Sequence, residues 1–377
     1  MKKLIKYIDK PLLIVTVILF IVGLIMVFSA SNVTAYMSYA ASPYNYFFKQ
    51  GLVLIAGIVA FLVIINFSTK TYSFFSWILL TIFTASLVVL LIYGTAKNRA
   101  ISWFDFGFFS LQPSEFIKVI TIVFLATYYD RNQDKLNSWS ISLFPIGVCL
   151  LIAGLIFLQP DLGTTIIYGL IVIIIFLAVP IAGEIKYKTI FAGVGFIVVA
   201  IIVLFSSGKG VLLERQMERF DFKRPCDKIL SNGSQVCNCY IAINNGGLTG
   251  VGLGNSTQKY LYLPEAYTDF IFAIIVEELG VITGVLLILS YIFVIFRILL
   301  IGRKCVNNRG AVLCYGVAFY IFLHVAVNLL GIMGLMPMTG VPLPFMSYGG
   351  SFTLCLVTAL SLVQRVNIEN NLIKENK

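Results

Sequence analysis

Residues 269–299, DFIFAIIVEELGVITGVLLILSYIFVIFRIL, settle the fold class. From Ile271 onward the stretch is apolar apart from a few side chains, and it exceeds the roughly 20 residues with which a helix crosses a ~30 Å hydrocarbon core. Its acids, Asp269, Glu277 and Glu278, stand toward the start, and Arg297 stands toward the end. Outward in both directions, similar runs recur at 11–29, 51–65, 74–93, 113–128, 141–158, 164–181, 190–205, 311–335 and 350–363. Short polar stretches separate most of them. The expectation is an all-α polytopic integral membrane protein with about ten transmembrane helices and one long extracytoplasmic loop, residues 206–268.

Composition agrees. Of 377 residues, 59% are hydrophobic and 12% charged, against about a quarter charged in soluble globular chains. That leaves too little polar surface for a soluble protein. The formal charge of +10 does not point to nucleic acid, because Lys and Arg are dispersed along the loops rather than gathered into a stripe. It reports orientation instead. An even number of spans puts both termini on one side, and with them inside, the short outer loops keep only Lys49, Lys97 and Arg99. Both termini are therefore expected in the cytoplasm. The basic start, MKKLIKYIDK, leads into an apolar run that no small-residue cleavage pattern closes, so it reads as a retained first helix.

An ionisable side chain inside a span costs on the order of 3 kcal/mol or more near the centre, so each one needs a partner or a purpose. Glu115 and Lys118, in SLQPSEFIK, are three apart and can pair on one helix face. Asp161, in LQPDLGT, stands where Pro160 and Gly163 interrupt two apolar runs, and its structural role would be to cap the following helix. Asp269, in YLPEAYTDFIFAIIVEELG, stands at the outer entrance of its span with Glu265 four residues earlier. Local pattern alone also allows Thr268 or Asp269 to be a helix cap. His324 is the lone histidine and lies inside a span, so outer-loop acid–base chemistry falls to a carboxylate. Arg215 and Arg219, four apart beside a membrane end, suit a surface helix.

Two loops stand out. MPMTGVPLPFMSYGGS, before the last span, has three prolines and a Gly-Gly pair, and irregular backbone at membrane depth is tolerated only against protein or a water-filled groove. GGLTGVGLGNS loosely suggests a nucleotide loop, but no strand precedes it and it lies outside. The long outer loop also carries Cys226, Cys237 and Cys239, of which two can bridge in an oxidising compartment, with Cys226 and Cys237 the expected pair. Three thiols without a nearby histidine do not complete a structural zinc site.

FSLQPSEFIK, LQPDLGT, GGLTGVGLGNSTQKYLYLPEAYTDFIFAIIVEELG and GVPLPFMSYGGS, in this order among ten spans, resemble the SEDS proteins, the shape, elongation, division and sporulation group that includes FtsW, RodA and SpoVE. The resemblance covers the chain from about Asn98 onward and implies a single transmembrane domain over residues 1–377. It implies a lipid II glycosyltransferase with Asp269, in the family's L-P-E-A-H-T-D-F pattern, as the essential acid. Lys118, Glu115 and Arg219 carry over as substrate-binding positions, with Arg215, Asp161 and Glu265 beside them. Gly-Asn-Ser with Gln258 and Lys259 is similar to the FtsW and SpoVE version of its loop, which favours a division-type member over an elongation or sporulation role. Departures are Tyr267 where the family has histidine, Leu261 where a glutamate is common, and Arg99-Ala-Ile-Ser-Trp103 where the family shows Gly-Ala-Arg-Arg-Trp.

Such a reaction needs no organic cofactor. The leaving pyrophosphate needs positive charge from Lys118, Arg219, Arg215 or a divalent cation, Mg2+ or Mn2+. Expected partners are lipid II, a class B penicillin-binding protein transpeptidase and other divisome or elongasome membrane proteins. Two rivals remain, a lipid II flippase and a non-catalytic scaffold that recruits a transpeptidase. A flippase needs a polar path through the whole bilayer, whereas the residues above gather toward one face.

Overall fold

The computed structural model describes residues 4, 6–39, 42–97, 100–107, 109–206, 225–228, 233–260 and 262–375. Its α-helices are α1 Lys10–Tyr39, α2 Asn45–Asn66, α3 Tyr72–Tyr93, α4 Pro113–Arg131, α5 Trp139–Phe157, α6 Leu162–Ala178, α7 Gly183–Ser206, α8 Gly233–Gly246, α9 Ile271–Arg303, α10 Asn308–Ile332 and α11 Gly350–Glu375. Ten of these fall where spans are expected, and α8 lies in the long connection. Seven of the described helices, α1, α2, α3, α5, α9, α10 and α11, are long and apolar enough to cross a membrane by length and composition. Helix α6 is apolar but shorter, and α4 carries the Glu115–Lys118 pair in its first turns. The chain is an all-α, multi-pass membrane protein.

Burial sorts the helices. In α10 and α11, 72% and 78% of the apolar window is buried, against 17% in α2 and 22% in α3. The first two are therefore the centre of the bundle, and the latter two present side chains such as Leu52, Ile55, Ile82 and Ile92 outward. Helix α4 is buried along most of its length, packed between α3 and α10. Polar anchors fix the ends. Asp9 accepts from the Leu12 amide at 3.0 Å, which caps α1, and takes both Nε and Nη2 of Arg297 on α9. Arg309 on α10 bonds Asp130 of α4 at 3.3 Å and Thr69 of the α2–α3 turn at 3.0 Å.

Two features go beyond the hydropathy reading. The α3–α4 connection holds a small antiparallel sheet of β1 Thr95–Lys97, β2 Ala100–Asp105 and β3 Ser110–Leu111, in the order β1-β2-β3. Helix α9, expected as one uninterrupted span from Asp269, starts at Ile271 and breaks at Gly280, where φ is 86° and ψ 164°. That conformation is essentially open to glycine alone. The broken backbone does not go unpaired, because the chain after α8 threads into the gap. Val251 and Gly252 donate to the Glu277 and Glu278 carbonyls at 3.0 Å each, while Val281 donates to Gly247 at 2.9 Å. Internal satisfaction of this kind is what permits non-helical backbone beside a membrane. The approach is close enough that a Cβ on Gly246 would lie 2.1 Å from the Val276 carbonyl oxygen. The glycine-rich stretch thus builds a clamp on α9. In the same region Cys226 and Cys237 are joined in a disulfide, and Cys239 is free and buried.

Candidate active site

Asp269 is half-buried just ahead of the N-terminal end of α9. The cap position of that helix is Phe270, with no side-chain cap, so the helix-cap reading of Thr268 or Asp269 is corrected. Thr268 donates instead to the Glu265 carbonyl at 3.0 Å and carboxylate at 3.1 Å. The loop between α10 and α11 wraps this segment. Asn328 of α10 donates to the Asp269 carbonyl and to the Val341 carbonyl, each at 2.8 Å. Ser347 donates to the Thr268 carbonyl at 2.5 Å and the Tyr348 amide to the Tyr267 carbonyl at 2.9 Å. Gly340, at φ 72°, brings its backbone against the acid, since a Cβ there would sit 3.4 Å from Asp269 Oδ2. A side chain at residue 340 would be strained and would crowd the carboxylate.

The opposite side of the same loop meets Asp161. Gly163 packs so tightly on Thr339 and Val341 that a Cβ would lie 2.9 Å from the Thr339 carbonyl oxygen. Asp161 caps α6, accepting from the Thr164 amide at 3.0 Å, and takes a bond from Gln112 at 3.2 Å. Residues 339–341 therefore pack against Gly163, two residues after Asp161, on one side and against Asp269 on the other. Three tyrosines flank the site, with ring centroids 4.6 Å apart for Tyr46 and Tyr267 and 5.0 Å for Tyr46 and Tyr348. Burial, with Tyr46 beside it, pushes the Tyr348 phenol up to about 12, so it is a neutral donor at working pH.

Glu115 and Lys118 pair at 2.8 Å, with side chains 3% and 0% exposed. Lys118 Nζ also lies 3.0 Å from His324 Nε2. The pair is therefore sealed inside the helix bundle rather than open to solvent. Glu115 Oε2 and Tyr320 Oη are buried without a hydrogen-bond partner among the described residues. His324 and Asn328 are four apart on α10, so the pair sits about one turn, ~6 Å, inward of the side chain that holds Asp269. Arg215, Arg219, Arg99 and Leu261 lie outside the described residues. Asn328 lies in none of the motifs, and Gln112, although within FSLQPSEFIK, is not singled out there. The available clue to Asn328 was a polar side chain inside an apolar run, one helical turn from His324.

A second buried network belongs to the clamp. Lys259 bonds Glu278 at 2.9 Å and the Gly254 carbonyl at 2.6 Å, and Ser29 of α1 donates to Glu278 at 2.6 Å. Glu277 takes Thr257 at 2.9 Å as well as Ser256. Among the described residues no group of three or more His, Cys, Asp or Glu could hold a metal ion.

Residues 10–372 match the family model FTSW_RODA_SPOVE, described as cell cycle protein. The chain is 37% identical over 374 residues to the probable peptidoglycan glycosyltransferase FtsW of Bacillus subtilis, covering 98% of this chain and 92% of that protein. It is 35% identical over 368 residues to stage V sporulation protein E of the same bacterium, covering 95% and 96%. Among solved structures, one titled as the structural coordination of polymerization and crosslinking by a peptidoglycan synthase complex matches with TM-score 0.76 at 21% identity, over 96% of this chain and 98% of that one. The rod shape determining protein RodA of Thermus thermophilus matches with TM-score 0.65, also at 21% identity, over 96% of each chain. At that identity the likeness is one of fold.

Proposed function

The chain belongs to the FtsW/RodA/SpoVE family of cell cycle proteins, and from that premise we propose that it is a peptidoglycan glycosyltransferase that polymerises lipid II at the outer face of the cytoplasmic membrane. The observation that carries this reading is the half-buried carboxylate of Asp269, displaced from the cap position and held in an irregular outer loop. The 4-hydroxyl of one disaccharide attacks the anomeric carbon of the muramic sugar on another. Asp269 takes the hydroxyl proton as the new C–O bond forms, and the bond to undecaprenyl pyrophosphate breaks with the electron pair leaving on the phosphate. A carboxylate within reach of the sugar hydroxyl is the group such a proton transfer needs.

Positive charge for the departing pyrophosphate comes from Lys118 beneath the loop and from Arg219 and Arg215 in the long connection. Glu115 holds Lys118 in place, and Asp161 and Glu265 shape the loop around the sugars. Mg2+ or Mn2+ does not fit a protein-only site here, because the described residues offer no cluster of ligands for it. Such an ion would have to arrive with the pyrophosphate, and no step above depends on it. Both termini are cytoplasmic in this reading, and a class B penicillin-binding protein transpeptidase is the partner. The division-type reading is favoured by the 37% identity to a protein named as a probable FtsW. The test is strand formation from lipid II by purified protein, alone and with its transpeptidase, for wild type and Asp269→Asn at matched thermal stability. Asn should lower turnover at least ~100-fold without unfolding the protein. No strands from wild type in either condition would refute the polymerase reading, and equal strand yields would refute the role of Asp269.

A further inference from the structure

At the opposite end of the molecule from Asp269, the start of α1 and the ends of α9 and α11 enclose a cavity of about 440 Å3. Lys6, Lys10, Arg297, Lys304 and Lys374 line it, with Asp9 as the acid in its wall. Two of these cations are already matched. Arg297 holds Asp9 at 3.0 Å and 2.9 Å through Nε and Nη2, and Lys6 pairs with Glu375 at 3.3 Å. Lys10, Lys304 and Lys374 make no salt bridge among the described residues. Three ammonium groups thus line one concavity with no salt-bridge partner among the described residues, an arrangement that an anion relieves.

The surroundings say which kind of anion. Lys10 and Ile14 share a face of α1, and Leu300, which lines the cavity, shares a face of α9 with Phe296, each pair being four residues apart. Ile14 and Phe296 are 58% and 57% exposed, and α1 packs along α9. Exposed apolar side chains of two neighbouring spans therefore adjoin the cations on the membrane side. A free inorganic anion would use the cations alone, whereas an acyl chain uses both. We propose that this cavity binds the phosphate headgroup of an anionic phospholipid from the leaflet opposite Asp269, with its acyl chains along Ile14 and Phe296. Basic pockets between transmembrane helices recognise such headgroups. Lys10, Lys304 and Lys374 contact the phosphate oxygens, while Arg297 stays committed to Asp9 and ties α1 to α9. The site is independent of the glycan chemistry at the other face.

Native mass spectrometry of the purified full chain, titrated with phosphatidylglycerol, phosphatidylcholine or inorganic phosphate, tests this without any activity readout. Phosphatidylglycerol should be retained, phosphatidylcholine should not, and millimolar inorganic phosphate should fail to displace the lipid. The triple variant Lys10→Gln/Lys304→Gln/Lys374→Gln should bind phosphatidylglycerol roughly 100-fold more weakly, since each ammonium near an anionic headgroup contributes about fivefold. Equal charge loss at Lys70, Lys135 and Lys188, exposed lysines away from the cavity, should leave binding unchanged. Should the triple variant fail to fold, Lys304→Gln alone must show the fivefold loss, and arginine at the three positions must show none. Equal retention of phosphatidylglycerol by wild type and a Gln variant, equal retention of phosphatidylcholine, or displacement by inorganic phosphate would each overturn the lipid site.

Discussion

Two buried ion pairs, Lys259–Glu278 and Lys118–Glu115, differ in what they leave unbonded. Lys259 and Glu278 are surrounded by partners, with the Gly254 carbonyl on one and Ser29 on the other at 2.6 Å each, and among the described residues neither side chain has an orphaned polar atom, although Gln258 Oε1 next to them does. Lys118 and Glu115 are as deeply buried, yet among the described residues Glu115 Oε2 has no partner, nor does Tyr320 Oη beside it. A saturated buried pair fixes the backbone it joins, here the glycine-rich clamp to broken α9. An orphaned buried acceptor costs about 1–3 kcal/mol, and a fold keeps such a cost where a water or substrate group is to be met. The first pair therefore joins the clamp to α9, while the second retains an unmet acceptor, in keeping with the substrate-binding role proposed for Lys118 and Glu115.

The sharpest way to break this contrast is to neutralise each pair as a whole. Removing both charges of a buried pair, with shape kept, is often neutral for stability. Glu115→Gln/Lys118→Met should thus melt near wild type but lose about 100-fold in strand formation, the scale of a lost electrostatic contact in the transition state. Lys259→Met/Glu278→Gln should melt near wild type and keep its turnover. Equal losses in the two double variants would erase the distinction.

Next in size is the single variant Lys259→Met, which strands Glu278 without its cation. Breaking one partner of a buried pair costs about 3–5 kcal/mol, so a large drop in melting temperature in detergent is expected. Little or no drop would mean that water reaches the clamp and that the pair is not sealed.

These two pairs were unequally legible in the sequence. Glu115 and Lys118 announce themselves, because three-residue spacing inside an apolar run leaves few other readings. Lys259 and Glu278 are 19 residues apart and meet only because α9 breaks at Gly280. No local periodicity encodes that meeting. The spans were legible for the same physical reason that the break was not. A bilayer imposes apolarity on every lipid-facing residue, whereas Gly280 reads as one more small residue in a helix until Val251 and Gly252 are seen filling its backbone bonds. Asp269 was found by motif, but its displacement from the cap position follows from the loop around Asn328, Gly340 and Ser347, which only the fold assembles.

Gly280→Ala sharpens the structural half of the comparison. The residue occupies a backbone region that costs any side chain about 1–3 kcal/mol, and its Cβ would meet the Leu248 carbonyl oxygen at 2.2 Å. The expected result is a lower melting temperature together with loss of the slow hydrogen exchange of the Val251 and Val281 amides. A variant as stable as wild type, with those amides still protected, would show that the clamp tolerates a regular helix.

The smallest effect is expected at His324, and it decides what that residue contributes to the unsaturated pair. An ammonium has only hydrogens to give, so His324 Nε2, 3.0 Å from Lys118 Nζ, must be the acceptor and the ring proton must sit on Nδ1. Any side chain that offers an acceptor at that point can do the same. His324→Gln supplies an amide oxygen and loses only ring contacts with Tyr320 and Phe352, at centroid distances of 4.8 Å and 4.7 Å. Its turnover should stay within about fivefold of wild type, roughly 1 kcal/mol in the barrier, with the same pH profile. His324→Leu removes the acceptor and should cost more, about 1–3 kcal/mol of stability from the ammonium left short of a partner. If imidazole instead moved protons during the reaction, glutamine would be no better than leucine and each would lower turnover about 100-fold. Measuring the two variants side by side separates an acceptor from an acid–base group, because only the first role survives in an amide.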